Sequence, residues 1–116
     1  MLDHLEVAQV HLVGNSVGGL VGLELARTVP HRPRTLTTFG TTTQLSSSRG
    51  LVRTMSLLVH CDLDRSLNRT LATTLARIEE RNDAIVVDLP DAGHFANLEQ
   101  PEGFHRIVRG FLAQHR

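Results

Sequence analysis

Val10-His11-Leu12-Val13-Gly14-Asn15-Ser16-Val17-Gly18-Gly19 is the stretch on which the reading of the fold turns. It begins as a short apolar, β-branched run and ends in an apolar pattern at helical spacing. Gly14-Asn15-Ser16-Val17-Gly18, a G-x-S-x-G sequence, therefore falls where a strand gives way to a helix. That is the setting a nucleophile elbow requires. Glycines two residues either side of the serine permit a tight, strained turn that lifts the hydroxyl above the sheet. The helix N-terminus behind it offers backbone N–H groups to a developing oxyanion, and the Val17 N–H is one such donor. Gly19 and Gly22 suit the same design, because small residues let the helix lie close to the strands. The competing reading is a glycine-rich turn that holds an anionic group at the helix N-terminus.

Outward from this turn, short apolar runs alternate with longer helical patterns, the signature of βαβ units and a parallel sheet. The expected strands are Gln9 to Gly14, Thr35 to Phe39, Met55 to His60 and Ala84 to Asp88. The expected helices are Val17 to Val29, with Leu20, Leu23 and Leu25 as its apolar face, and Leu67 to Arg81, with Leu71, Leu75 and Ile78. A last helix opens at Pro101 and presents Phe104, Ile107, Val108, Phe111 and Leu112 to the sheet. Gly40 to Gly50 reads as a loop, and Leu2 to Glu6 as the last turn of a helix entering the first strand. The fold class is α/β, with about four parallel strands and flanking helices.

Length and composition bound the partners. The 116 residues, 41% of them hydrophobic, suit a single domain over 1–116. Twelve basic residues, all Arg, and twelve acidic ones cancel and are interspersed, so nothing draws the chain to nucleic acid or an anionic membrane. One cysteine, Cys61, and a start too acidic for a signal peptide imply a reducing, cytoplasmic setting, with Cys61 a buried structural thiol. No apolar run approaches the roughly 20 residues needed to cross a bilayer. No His, Cys or carboxylate group has metal-ligand spacing, so neither a metal nor another cofactor is expected.

A serine hydroxyl needs a base to take its proton as it attacks. Of seven histidines, His4, His31, His105 and His115 fall in turns or on helix faces, and His11 and His60 lie inside strands, where a satisfied structural role is expected. His94 follows Gly93 in a loop after the last strand, at the C-terminal edge of the sheet where ligands bind in parallel α/β proteins. The acid that would hold its tautomer should lie on a neighbouring loop. Asp64 is the first candidate, with Asp62 its closest rival and Asp88 and Asp91 behind.

The run Val10 to Gly19 resembles the elbow of α/β-hydrolases. Ala92-Gly93-His94-Phe95-Ala96-Asn97-Leu98-Glu99-Gln100-Pro101-Glu102-Gly103-Phe104 resembles their histidine loop and final helix. The likeness is to the branch holding 3-oxoadipate enol-lactonases, cofactor-free haloperoxidases and carbon–carbon bond hydrolases. It implies Ser16 as nucleophile, His94 as base and Asp64 as acid, in the order Ser, Asp, His along the chain. Cys61-Asp62-Leu63-Asp64 is similar to the family's G-x-x-D, with Cys61 where glycine is usual and Asn68 where proline often follows. The resemblance further implies a partial α/β-hydrolase fold, its C-terminal half, with no lid, since Thr41 to Thr54 is too short for one. The family's first strands, and the loop that supplies a second oxyanion N–H, would precede Gln9.

The function expected is that of a serine hydrolase acting on a small ester or lactone through an acyl-enzyme. The alternatives are a non-catalytic truncated hydrolase, half of a split enzyme that needs an N-terminal partner, and the anion-binding module. In the family's sheet the strand entering the elbow is central. Here Gln9 to Gly14 would be an apolar edge, so a homo-oligomer or an N-terminal partner is expected along it.

Overall fold

The computed structural model describes residues 1–41, 54–65, 67–68 and 84–116. Four strands form one sheet: β1 (Val10–Asn15), β2 (Pro33–Phe39), β3 (Met55–Cys61) and β4 (Ala84–Leu89). They lie side by side in chain order and every pairing is parallel. The helices α1 (Val17–Thr28), α2 (Ala96–Glu99) and α3 (Pro101–Gln114) accompany them. Each strand lies within one or two residues of its expected span. The short α2 falls inside what reads as a loop. Leu2 to Glu6 makes turns rather than a helix. The predicted loop beyond Thr41, the segment too short for a lid, and the helix Leu67 to Arg81 beyond Asn68 lie outside the described residues.

Side-chain alternation along parallel strands sorts the core into two layers. Phe39, Leu57, Val59, Cys61 and Leu89 face α3, where Phe104, Val108 and Phe111 cover them and Ile107 and Leu112 pack at the margin. The rings of Phe39 and Phe104 meet edge to face with centroids 4.6 Å apart. Leu58, Val86 and Ala84 point the other way, towards Ala26 and Leu23 of α1. β2 and β3 are buried on both sides, and the full burial of Leu36, Leu57, Leu58 and Val59 contributes about 1.5–3 kcal/mol each.

α1 departs from its expected packing. Its buried residues are Gly19, Gly22 and Ala26, while Leu20 and Leu25, read as part of the core face, are exposed along with Val17 and Val21. The cause is close approach. A Cβ on Gly22 would lie 2.7 Å from Leu36 Cδ1, and one on Gly19 would collide with the Thr41 side chain. The helix meets the sheet through its small residues and Leu23, while Val17, Leu20, Val21 and Leu25 stay exposed, Leu25 beside Val10 and Leu12 of β1. Among the described strands β1 pairs only with β2, and Val13 on it is exposed.

Parallel pairing brings every strand's C-terminal end to the same edge. Asn15 pairs with Phe39, Phe39 with Val59, and Cys61 with Leu89, so the segments that follow these residues emerge together.

Candidate active site

Ser16 sits between β1 and α1 with φ 52° and ψ −118°. A positive φ at a residue that carries a side chain costs on the order of 1–3 kcal/mol, and it persists only where the surroundings impose it. Here the Ser16 N–H donates to the Phe39 carbonyl at 3.1 Å, and the Thr41 hydroxyl donates to the Ser16 carbonyl at 2.8 Å. Gly14 lies so near the start of α1 that a Cβ on it would come within 2.5 Å of the Gly18 carbonyl group. Gly18 itself faces open space. The two glycines of the motif are therefore not equivalent: Gly14 lets the turn close, whereas Gly18 has no steric duty. Val17 is the first residue of α1, and its N–H has no acceptor within the helix.

His94 Nδ1 lies 2.9 Å from Asp64 Oδ2. A carboxylate can only accept, so Nδ1 is the donor in this contact, and in the neutral ring that tautomer puts the lone pair on Nε2. Asp64 is buried, and it is held in a turn by its own N–H, which donates to the Cys61 carbonyl at 3.2 Å. Of the candidate acids, Asp64 is the one set against His94. Asp62 points elsewhere, its Oδ1 accepting from the Ala92 N–H at 3.3 Å, which ties the segment after β3 to the segment after β4. Asp88 pairs with His60 at 2.8 Å, and the Asp91 carbonyl accepts from Gln100 Nε2 at 3.2 Å. His11 Nδ1 meets Thr35 Oγ1 at 2.7 Å, so both strand histidines have structural partners.

Among the described residues, no hydrogen bond joins the Ser16 hydroxyl to His94. The two are linked through the neighbouring Asn15, whose Nδ2 donates to the His94 carbonyl at 2.9 Å and to the Phe39 carbonyl at 3.2 Å. Gly40, at φ 58°, lies against both Asn15 and His94, for a Cβ there would stand 2.8 Å from Asn15 Nδ2 and 3.1 Å from His94 Nδ1. Glu99 holds the other side of the histidine segment. Its two oxygens accept the N–H groups of Gly93, at 3.2 Å, and Phe95, at 3.0 Å. The Asn68 side chain donates to the Cys61 and Asp62 carbonyls, closing the turn that carries Asp64. Asn15, Gly40 and Glu99 have no part in the sequence reading of the site. G-x-S-x-G leaves the residue before the serine unspecified, and a glutamate five residues after the histidine looks like an ordinary helix-end acid.

Cys61 is buried beneath the site. Burial, together with the negative charges of Asp64, Glu99 and Asp62, pushes its thiol up to about 11, so it stays protonated and is a poor nucleophile at neutral pH. Among the described residues, no group of three or more His, Cys, Asp or Glu side chains could hold a metal ion, and no helix is long and apolar enough to cross a membrane.

No protein-family model matches the chain, and no curated protein matches it significantly. Solved structures do match. A predicted CIB-like hydrolase from Thermoplasma acidophilum superposes with a TM-score of 0.80 at 23% identity, over 96% of this chain and 54% of that one. The chain has a partial α/β-hydrolase fold. Est816, described as an N-acyl homoserine lactone degrading enzyme, gives a TM-score of 0.77 at 17% identity over 95% of this chain and 70% of its own. A variant of the meta-cleavage product hydrolase CumD of Pseudomonas fluorescens gives 0.78 at 16% identity over 99% and 68%. The chain thus spans about half the length of the first of these α/β-hydrolase structures and about two thirds of the others.

Proposed function

We propose that the chain is a serine hydrolase acting on a small ester or lactone. The observation that carries this reading is the pairing of His94 with the buried Asp64, on segments tied to the strained Ser16 turn through Asn15. In this mechanism Ser16 Oγ attacks the substrate carbonyl as its proton passes to His94 Nε2. Asp64 holds the imidazole in the required tautomer, and the Val17 N–H donates to the oxyanion. The carbonyl then re-forms as the bond between the acyl carbon and the alkoxy oxygen breaks, and the departing oxygen takes the proton from His94. In a lactone that oxygen stays tethered to the acyl group as a new hydroxyl. Water attacks the acyl-enzyme, gives its proton to Nε2, and releases the acid while Ser16 regains its hydrogen. The missing Ser16–His94 hydrogen bond is compatible with this chemistry, because such bonds are often long before substrate binds. The lactone-degrading neighbour and the sequence resemblance to enol-lactonases favour the substrate class.

A fluorophosphonate probe and p-nitrophenyl acetate test the proposal. The expected result is one adduct, on Ser16, lost in Ser16→Ala. An adduct on Cys61 or another serine would overturn the assignment.

A second reading, in which the chain works with a partner polypeptide that supplies the rest of the hydrolase fold, is favoured by the flank of α1 and β1. There Val13, Val17, Leu20, Val21 and Leu25 are exposed, and a groove of about 440 Å³ is lined by Val10, Leu12, Leu25 and Val29. Apolar surface beside a strand paired on one side is a template for another chain. Sedimentation across a concentration series checks it: self-association of the isolated chain is the result expected, and a monomer at every concentration is the contrary one.

A further inference from the structure

The structure assigns Asn15 and Glu99 to a task the proposed chemistry leaves open, that of positioning His94 relative to Ser16. The inference rests on His94 being the base proposed above. Asp64 contacts one ring nitrogen of His94, so it sets the tautomer and limits ring rotation, but it cannot fix where the histidine segment itself lies. That segment is held by backbone groups instead. The N–H before His94 and the N–H after it both go to Glu99, and the carbonyl of His94 itself goes to Asn15. Bonds from a carboxylate to backbone N–H groups are charge-assisted and about twice as strong as neutral ones. Three anchors on three consecutive residues leave the segment little freedom to move.

The two anchors differ in what they are fastened to. Glu99 ends α2, so it ties the histidine segment to the helix that follows it. Asn15 is the residue before the nucleophile, and its amide also donates to the Phe39 carbonyl, the same oxygen that accepts from the Ser16 N–H. Asn15 therefore refers the position of His94 to the backbone that sets the Ser16 turn. Phe39 O, Asn15 and His94 O form one short chain of hydrogen bonds from nucleophile to base. A displacement of about 1 Å between reacting groups can cost on the order of 10²-fold in rate, so this chain bears on turnover without touching substrate.

The role requires a donor at residue 15 and two acceptors at residue 99, which gives an order of variants that mere space filling does not. Asn15→Ala removes the donor. Asn15→Asp keeps the shape but sets an acceptor against the His94 carbonyl, so it should be the worse of the two. Glu99→Gln keeps one acceptor for two N–H groups and should fall between the native residue and Glu99→Ala.

Two readouts on the full chain test this. The first is hydrolysis of p-nitrophenyl acetate, where kcat should fall about tenfold in Asn15→Ala, and further in Asn15→Asp, with KM unchanged. The second is the NMR signal of the His94 Nδ1–H proton, sharp in the native chain and broadened by water exchange in the Asn15 and Glu99 variants. If Asn15→Asp matches the native chain, or the imidazole signal stays sharp in both Asn15→Ala and Glu99→Ala, the positioning role is wrong. If His94→Ala hydrolyses the ester as fast as the native chain, the proposed base is wrong. The imidazole signal then still decides whether Asn15 and Glu99 hold the histidine. Should the Asn15 variants fail to fold, the Glu99 series carries the same test at an exposed site.

Discussion

Among the described residues are two histidine–aspartate pairs, His94 with Asp64 at 2.9 Å and His60 with Asp88 at 2.8 Å, and by distance alone they cannot be told apart. Their burial is reversed. In the first, the Asp64 side chain is 6% exposed and the imidazole 39%; in the second, the imidazole is 20% exposed and the Asp88 side chain 82%. A buried carboxylate whose partner reaches towards solvent leaves Nε2 available to a substrate and gives the acid one position. An exposed carboxylate on a half-buried imidazole is a cross-strand pair that water and salt can replace, since His60 and Asp88 are register partners on β3 and β4. Proximity of the two residue types therefore does not distinguish the pair proposed to react from the cross-strand one. The side from which the pair meets solvent does.

The largest effect expected is on Ser16 reactivity. Asp64→Asn should lower it on the order of 10³–10⁴-fold, as an acid that sets the tautomer would require, whereas Asp88→Asn should leave it within about twofold. Rates of p-nitrophenyl acetate hydrolysis for the two variants compare the pairs directly, and equal losses would erase the distinction. A smaller effect separates the glycines that frame Ser16. Gly14→Ala drives a methyl into the Gly18 carbonyl group and should cost at least about 1–3 kcal/mol in urea unfolding. Gly18→Ala meets nothing and, lying in α1, should be neutral or stabilising by up to about 1 kcal/mol. If Gly18→Ala proves as damaging as Gly14→Ala, the turn is held in a way the backbone contacts do not describe. The smallest effect belongs to the outer pair. Asp88→Asn should change stability by no more than about 1 kcal/mol, and moderate salt should shrink even that.

Much of the fold was legible because its signals are local. β-branched runs, a proline at the start of α3 and the 3.6-residue spacing of Phe104, Val108 and Phe111 each report on their own neighbourhood. The positions of Ser16 and His94 at the sheet's C-terminal edge follow from the same local signals. The packing of α1 was not legible. Leucines at helical spacing suggest a core face, but the helix approaches β2 through Gly19, Gly22 and Ala26 because Leu36 and Thr41 fill the space a larger residue would need. That fact belongs to the partner strand. The anchors Asn15 and Glu99 were hidden for a related reason. Their bonds go to backbone groups, which carry no residue identity, and Asn15 reaches 79 positions along the chain to do it.

The buried thiol under the site gives the molecule an unusual alkaline titration. The chain has no lysine and no tyrosine, and arginine keeps its proton far above pH 11, so Cys61 is the only side chain that ionises between pH 9 and 11. Unfolded, it loses its proton near 9.0; folded, it holds it to about 11. Across that interval the unfolded chain binds fewer protons than the folded one, so stability falls as pH rises and is fully present below 9. Thiolate absorbance in the ultraviolet, undisturbed by any tyrosinate, should stay low in the folded protein up to about pH 10 and rise at once on adding urea. A spectrum taken during unfolding would thus report the opening of the layer between the sheet and α3 from a single native atom, with no introduced label.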